Sequence, residues 1–201
     1  MREQIRSGIA HVGQALRTPE EFAAAWNDGA VTYRWWVWLS LTGTAILGTT
    51  TYGMTMGLLG HASDVVYKGM ACTLAAGLAW GIPLPALYIL NSLSGSRLPV
   101  SSTFLAALVT TSWGGLAMIA SIPINWFFSV CVPHPGFVLL VNLTVFMGVG
   151  VAMIDVFNRV MRRLEPLRGT TPTWWLMLVG AIGCELFYNF GLFDFRFDSV
   201  L

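Results

Sequence analysis

Residues 137–157 read FVLLVNLTVFMGVGVAMIDVF, a run in which Asp155 is the only charged residue. A helix that crosses the hydrocarbon core of a bilayer, about 30 Å thick, needs about 20 consecutive residues that are mostly apolar. The run has that length, and the basic segment NRVMRR follows it directly at residues 158–163. The stretch therefore predicts a transmembrane helix that ends at a positively charged membrane surface.

Four further apolar runs of similar length lie along the chain, near residues 35–59, 68–90, 101–122 and 174–192. Hydrophobic residues make up 55% of the 201 positions and charged residues 10%, whereas soluble domains contain about 25% charged residues. A soluble fold could not bury so much apolar surface. We therefore predict an all-α, polytopic membrane helical bundle with five transmembrane helices. Residues 35–201 would form the membrane domain, and residues 1–34 a cytoplasmic or interfacial helical segment.

The basic residues are distributed unevenly about these spans. Five crossings of a bilayer place nine of the eleven Lys and Arg residues on the side of the N-terminus, and only Lys68 and Arg196 on the other side. The positive-inside rule then predicts an N-terminus in the cytoplasm and a C-terminus outside. Basic stripes are absent elsewhere in the sequence, which argues against nucleic-acid binding.

Residues 1–34 carry the signals of two short helices. The first is amphipathic, and its apolar face consists of Ile5, Ile9, Val12 and Leu16. It suits either the membrane surface or packing against a neighbouring subunit. Thr18-Pro19 marks the start of the second helix, which should end near Asn27-Asp28-Gly29. Because the first residues lack the apolar run of a cleavable signal peptide, the first span is expected to act as an uncleaved anchor.

Glycines and prolines predict how the spans pack and bend. Gly53 and Gly57 form a GxxxG spacing in the first span, and Gly114 and Gly115 lie in the third. Small residues at such positions let helix backbones approach closely, and packing within the chain is favoured here over self-association. The Pro-Leu-Pro sequence at residues 83–85 should kink or break the second span, because proline removes a backbone donor.

Glu185 is a candidate functional residue inside the last span. It lies roughly 16 Å along the helix from Trp174, at about 1.5 Å per residue, which is near the middle of the membrane. Ionisable residues at this depth are costly and usually functional. Three roles stay open: a structural hydrogen bond to a hydroxyl group, ion or proton chemistry, or contact with a partner helix. The hydroxyl groups at a similar depth belong to Ser112, Thr44, Thr49 and Thr144.

Asp155 is a second candidate carboxylate, near the cytoplasmic end of the fourth span. Arg159 follows it by four residues, the spacing of a helical ion pair. The predicted depths of Asp155 and Glu185 differ by roughly three helical turns of about 5.4 Å. The two carboxylates are therefore not expected to share a site.

A cluster of polar residues follows the second span on the cytoplasmic side, at Asn91, Ser94, Ser96 and Arg97. These side chains could form a small polar site in which Arg97 contacts lipid phosphate, since a guanidinium group suits phosphate geometry. Alternatively, the Asn and Ser side chains simply stabilise a tight turn.

The sequence lacks the motifs of catalysis or cofactor binding. The three cysteines, Cys72, Cys131 and Cys184, form no CxxC pair and are expected to be small buried hydrophobic residues. The three histidines lie in separate regions without metal-ligand spacing. HExxH, GxSxG and phosphate-loop motifs do not occur. We therefore predict no enzyme activity, no catalytic residue, no metal and no cofactor.

Residues 68–160 resemble a group of uncharacterised bacterial multi-spanning proteins, some of which are labelled actin-binding WH2-domain proteins. The resemblance rests on Pro85-x-Leu87-Tyr88-x-x-Asn91-x-Leu93-x-Gly95-Ser96-Arg97-Leu98, Ser121-Ile122-Pro123-Ile124-x-x-Phe127-Phe128 and Leu140-x-Asn142. The arrangement of spans is also broadly similar to that of Yip1-like membrane proteins. Yip1-like proteins imply a role in membrane organisation with trafficking partners, whereas the bacterial group implies no established chemistry.

These features favour a non-enzymatic integral membrane protein that acts as a scaffold or as a subunit of a membrane assembly. The expected partners are membrane lipid and either further copies of the chain or the other subunits of a larger complex. One alternative is an oligomeric ion or proton channel, or a transporter, that uses Glu185. Another is a membrane-bound effector.

Overall fold

The computed structural model describes residues 2–168 and 173–193, and the regular elements in these ranges are all α-helices. They are α1 (Arg2–Arg17), α2 (Pro19–Asn27), α3 (Trp35–Met56), α4 (Ala62–Gly81), α5 (Leu84–Leu93), α6 (Val100–Cys131), α7 (Pro135–Leu164) and α8 (Thr173–Asn189). The predicted all-α class is confirmed. Arg196 and the predicted outer C-terminus lie outside the described residues.

Three segments are long and apolar enough to cross a membrane, namely Ala62–Leu93, Val100–Cys131 and Pro135–Leu164. Trp175–Asn189 is a shorter apolar helix. Three of the five predicted spans therefore meet the length and composition of a membrane helix.

The loop between the first two predicted spans is shorter than predicted, because the second helix begins early. α3 ends at Met56, close to the predicted boundary, but α4 begins at Ala62 and not near residue 68. The carboxylate of Asp64 explains the early start, because it accepts a hydrogen bond of 2.8 Å from the backbone N–H of His61. A capping contact of this kind satisfies a backbone donor at the start of the helix, where such donors have no partner within the helix.

The helices that contain the third and fourth predicted spans extend beyond those spans. The third span is predicted to end near Ile122, and its helix, α6, continues through Pro123 to Cys131. A proline inside a helix removes one backbone hydrogen bond and bends the axis, but the flanking turns can remain helical. α7 likewise continues to Leu164, whereas α8 ends slightly early, at Asn189.

α3 lies at the centre of the bundle and packs against both α4 and α6. α7 packs against α6, and α8 packs against α4 and α7. One cluster of buried apolar side chains forms around Phe157 and Trp175, where α5, α6, α7 and α8 meet. A second cluster, around Tyr52 and Phe187, joins α3, α4, α6, α7 and α8. These two clusters connect all five predicted spans.

The GxxxG pair of α3 faces α4. A Cβ atom built on Gly53 would lie 2.6 Å from the Cβ of Cys72, and one built on Gly57 would lie 2.6 Å from the Cα of Val65. Any side chain at these two positions would push the helices apart. The expectation of packing within the chain is therefore confirmed for this pair.

The close contact between α3 and α6 also depends on glycines. A Cβ atom on Gly48 would lie 2.5 Å from the Cα of Gly115, and one on Gly115 would lie 2.8 Å from the Cα of Ala45. Gly114, the neighbouring residue, faces the side chain of Met153 on α7. The predicted Gly114–Gly115 pair therefore lets α6 approach α3 on one face and α7 on another.

The predicted break in the second span is confirmed. α4 ends at Gly81 and α5 begins at Leu84. Pro85 has no N–H group to donate to the carbonyl of Gly81, so the regular hydrogen-bond ladder cannot continue through this point.

The two N-terminal helices pack against the bundle of their own chain. α2 contacts α6 and α7, and α1 contacts α3. The ring of Tyr33 stacks on that of Phe22, with ring centroids 4.2 Å apart, and its hydroxyl donates a hydrogen bond of 3.0 Å to the Phe22 carbonyl. α2 begins and ends where predicted. The apolar face predicted for α1 includes the side chains of Ile5 and Ile9, which lie outside the described part of the chain.

Candidate functional site

α8 carries two polar side chains on its outward face. Glu185 and Asn189 are both exposed, and Nδ2 of Asn189 donates a hydrogen bond of 2.8 Å to Oε1 of Glu185. On the opposite face, Trp175, Val179 and Phe187 are buried in the bundle. α8 therefore packs through one apolar face while it presents a carboxyl and an amide group on the other.

The position of α8 against α4 gives the depth of Glu185 in the bundle. A Cβ atom on Gly183 would lie 3.6 Å from the Cβ of Ala79. Ala79 is near the middle of the 32-residue apolar segment Ala62–Leu93. Since Glu185 is two residues beyond Gly183, it lies about 3 Å further along the helix axis. Glu185 therefore lies beside the middle part of Ala62–Leu93, and its depth in a membrane stays a prediction.

The hydroxyl groups expected at the same depth do not bind Glu185. The side chains of Thr44, Thr49 and Thr144 donate to backbone carbonyls of their own helices, at 2.9 Å in each case. The hydroxyl of Ser112 is buried and has no hydrogen-bond partner among the described residues. The partners predicted for a structural hydrogen bond are therefore wrong, because the amide one turn along α8 supplies it instead.

Asp155 belongs to an ion-pair group between α7 and α2. Nε of Arg159 lies 3.0 Å from Oδ2 of Asp155, and its Nη1 lies 3.6 Å from Oε2 of Glu20. The predicted pair within α7 is confirmed. The exposed pair of Arg159 and Asp155 contributes about 0–1 kcal/mol, and the longer contact to Glu20 joins α7 to α2. Among the described contacts, none joins Asp155 to Glu185.

A polar network connects the loop after α5 to the end of α7. Oγ of Ser96 donates a hydrogen bond of 2.7 Å to Oε1 of Glu165 and accepts one of 3.1 Å from Nδ2 of Asn91. Nη1 of Arg168 donates to Oδ1 of Asn91 and, at 3.1 Å, to Oε2 of Glu165. Asn91 is only 3% exposed. These four side chains fix the loop against α7.

The predicted polar cluster is only partly assembled. Asn91 and Ser96 belong to the network, but the hydroxyl of Ser94 donates to a carbonyl of its own helix at 2.7 Å, and Arg97 is exposed. Gly95 has a φ angle of +87°, which fits the alternative reading of these residues as a tight turn. The geometry around Ser94 and Gly95 is that of a turn, and the polar site with Arg97 stays a prediction.

Sequence reasoning missed Glu165 and Arg168, which complete the network. Both follow α7 and are far from Asn91 in the chain, so local spacing could not link them. One available signal was the composition of residues 159–168, where Glu165 is the sole acidic residue among four arginines. A lone carboxylate in such a segment is expected to find a cationic or polar partner.

Two interhelical hydrogen bonds inside the bundle were also missed. The hydroxyl of Tyr52 donates to Oδ1 of Asn142 at 2.8 Å, and Nδ2 of Asn125 donates to Oγ1 of Thr55 at 2.7 Å. They join α3 to α7 and to α6. Such bonds contribute about 0.6 kcal/mol on average in membrane bundles, so they stabilise the packing of α3 modestly.

The three cysteines differ in exposure. Cys72 is buried, but Cys131 and Cys184 are exposed. The expectation of buried hydrophobic residues is therefore wrong for two of them, because these positions lie on outward helix faces. Within the described residues, no group of three or more His, Cys, Asp or Glu side chains could hold a metal ion.

An open groove of about 460 Å³ lies between α6 and α7. Its two hydroxyl groups, on Ser121 and Thr144, donate to carbonyls of their own helices at 2.9 Å. The groove therefore offers an apolar lining with no free polar group among the side chains that form it.

The fold and these sites define a helical protein with three segments long and apolar enough to cross a membrane, and with an outward polar pair on its last described helix. No protein-family model matches the chain, and neither the curated proteins nor the solved structures include a match to it. The resemblance to the bacterial multi-spanning group and to Yip1-like proteins stays a prediction.

Proposed function

We propose that this protein is a non-enzymatic, five-span bacterial inner-membrane protein that works by assembling with other membrane helices. In this proposal α3, α4 together with α5, α6, α7 and α8 are the five spans, and α1 and α2 lie on the cytoplasmic side. Three segments with the length and apolarity of membrane helices support it. The 22-residue α3 and the apolar α8 pack against those segments, as two further spans would.

The exposed carboxyl group of Glu185 carries this proposal. Lipid tails neither donate nor accept hydrogen bonds, so a polar group that faces them is costly. Asn189 provides a partner for Oε1, but Oε2 has none among the described residues. A second helix packed on this face would cover the polar pair and could supply further hydrogen bonds. Assembly is therefore the function that the arrangement supports best.

A pair of matched substitutions tests the proposal. Glu185→Leu removes the polar group that a partner helix would cover, whereas Asp155→Leu makes the same change at an exposed carboxylate whose partner is Arg159. We expect Glu185→Leu to give a smaller particle in mild detergent, measured by size-exclusion chromatography with light scattering. Membrane insertion should be unchanged, and Asp155→Leu should keep the wild-type particle mass.

Two results would oppose the proposal. One is a Glu185→Leu protein whose particle mass equals that of the wild type. The other is a wild-type protein that purifies from native membranes as a monomer without a second component.

An oligomeric ion or proton channel is the second candidate, and the outward direction of Glu185 favours it over a pore within one chain. Copies that meet at α8 would place several carboxyl groups around a shared path, as in the acidic rings of cation channels. Reconstituted liposomes would then show a cation or proton flux that Glu185→Gln reduces. Equal flux in wild-type and Glu185→Gln liposomes would remove this candidate.

A further inference from the structure

We propose that the arginine surface, formed by Arg97, Arg162 and Arg163, binds the phosphate of an anionic phospholipid headgroup. The surface lies at the end of the bundle where α5 and α7 terminate. All three side chains are exposed, and no ion pair joins any of them to another described residue. This inference does not depend on the assembly function proposed for α8.

Three acidic residues at this end of the bundle lie in ion pairs with other arginines. Arg159 is paired with Asp155 and Glu20, and Arg168 is paired with Glu165. These pairs do not include Arg97, Arg162 or Arg163. An external anion would therefore meet three cationic groups without having to displace an internal partner.

The polar network holds the parts of this surface together. Arg97 directly follows Ser96, whose hydroxyl lies 2.7 Å from the carboxylate of Glu165 at the end of α7. On its other side, Leu98 belongs to the same buried cluster as Leu164. The backbone on both sides of Arg97 is thus anchored to the end of the helix that carries the other two arginines. A binding surface that is already ordered loses less entropy when its ligand binds.

The exposed apolar side chains around the loop favour a lipid over a free anion. Leu93 is 78% exposed, Val100 is 58% exposed and Leu167 is fully exposed. Leu93 ends α5, Val100 begins α6 and Leu167 follows α7, so each lies within four residues of one of the arginines in the chain. An acyl chain could therefore contact apolar surface while its phosphate meets guanidinium groups. Guanidinium groups bind phosphate through paired hydrogen bonds. Basic surfaces beside transmembrane helices attract anionic lipids electrostatically.

Two simpler roles would also place arginines here. Arg162 and Arg163 lie in the last turn of α7, where cations interact favourably with the helix dipole. Basic residues at the end of a span also direct its orientation. Neither role depends on which phospholipid surrounds the folded protein, so the test must measure a lipid-dependent difference.

The test compares unfolding midpoints of the full-length protein in two kinds of nanodisc. One contains phosphatidylcholine alone, and the other contains phosphatidylcholine mixed with phosphatidylglycerol. The variant Arg162→Gln/Arg163→Gln removes two charges from the proposed site. The control Arg17→Gln/Arg34→Gln removes two exposed charges from the same predicted side of the membrane.

Phosphatidylglycerol should raise the unfolding midpoint of the wild type and of the control. The rise should be at most half as large in Arg162→Gln/Arg163→Gln and should vanish when Arg97→Gln is added. No rise in the wild type would overturn the proposal. The proposal would also fail if the rise were reduced equally in Arg162→Gln/Arg163→Gln and in Arg17→Gln/Arg34→Gln, because the lipid would then respond to overall surface charge. Inorganic phosphate added to phosphatidylcholine nanodiscs should have no effect, and an equal rise would assign the site to free phosphate instead.

Discussion

The indole Nε1 of Trp175 donates a hydrogen bond of 2.9 Å to the carbonyl oxygen of Pro83, at the break between α4 and α5. Trp175 is fully buried, and its ring lies 5.4 Å from that of Trp80 and 5.5 Å from that of Phe157. The first turn of α8 is therefore hydrogen-bonded to the break between α4 and α5 in the second predicted span. One side chain supplies both the polar and the apolar part of this contact.

Two substitutions of Trp175 should separate the contribution of its hydrogen bond from that of its buried ring. The Pro83 carbonyl also accepts the N–H of Leu87 at 2.9 Å, so it keeps a partner when the indole is removed. Trp175→Phe should therefore lower the free energy of unfolding by only about 0.5–1.5 kcal/mol. Trp175→Ala should lower it by about 3–5 kcal/mol, because it also leaves a cavity. Chemical unfolding in detergent measures both values, and equal losses would contradict this division.

The crossing of α3 and α6 should not tolerate a side chain at Gly115. Gly115→Ala places a Cβ atom 2.8 Å from the Cα of Ala45, so the two backbones must separate. We expect a loss of about 1–3 kcal/mol in the free energy of unfolding, which is typical of an overpacked core. Gly43→Ala is the matched control, because a Cβ atom there meets nothing within 4 Å.

The control should be neutral or stabilising by up to about 1 kcal/mol, since alanine favours a helix more than glycine does. Both variants are measured by the same unfolding experiment in detergent. Equal effects of Gly115→Ala and Gly43→Ala would show that helix propensity, and not the close crossing, determines the result.

The features that sequence predicted best depend on local chemistry. The length of the apolar runs predicted membrane helices, Pro83 and Pro85 predicted the break, and the spacing of Asp155 and Arg159 predicted their ion pair. Each of these follows from residues within a few turns of one another. The continuation of α6 through Pro123 was not predicted, because the local rule is that proline interrupts a helix.

The parts that could not be predicted join distant segments of the chain. Glu165 meets Ser96, and Tyr52 meets Asn142, only because particular helices are neighbours in the bundle. Helix periodicity gives the face of each residue but not the neighbour that covers it. Glu185 illustrates this limit, because counting residues predicted its place along the last span while its outward direction required the packing of α8.

Alkaline pH should weaken the attachment of the N-terminal helices through Tyr33. Burial raises the pKa of the Tyr33 phenol above its ordinary value of 10.0. Since the folded state holds this proton more tightly than the unfolded state, its contribution is complete below pH 10.0 and falls as the pH rises towards the higher folded pKa. Unfolding midpoints of the wild type measured across this range should decline more steeply than those of Tyr33→Phe.

Tyr33→Phe also removes the hydrogen bond to the Phe22 carbonyl, so it should be less stable below pH 10.0. The expected loss is about 0.5–1.5 kcal/mol. The difference between the two proteins should therefore narrow as the pH rises. A difference that stays constant would mean that ionisation of this phenol does not contribute.

The outward face of α8 allows a direct test of whether two copies of the chain meet there. Copies inserted in the same orientation can pair only around an axis along the membrane normal, so a residue near that axis faces its own counterpart. Cys184 is exposed and directly precedes Glu185, and a disulfide forms when two Cα atoms are about 4.4–6.8 Å apart.

Mild oxidation of native membranes should therefore yield a covalent dimer in the wild type and in Cys131→Ala. The dimer should be absent from Cys184→Ala and reduced in Glu185→Leu. A dimer that requires Cys131 would place the contact on α6, whereas no dimer at all would contradict a contact between two copies at Cys184.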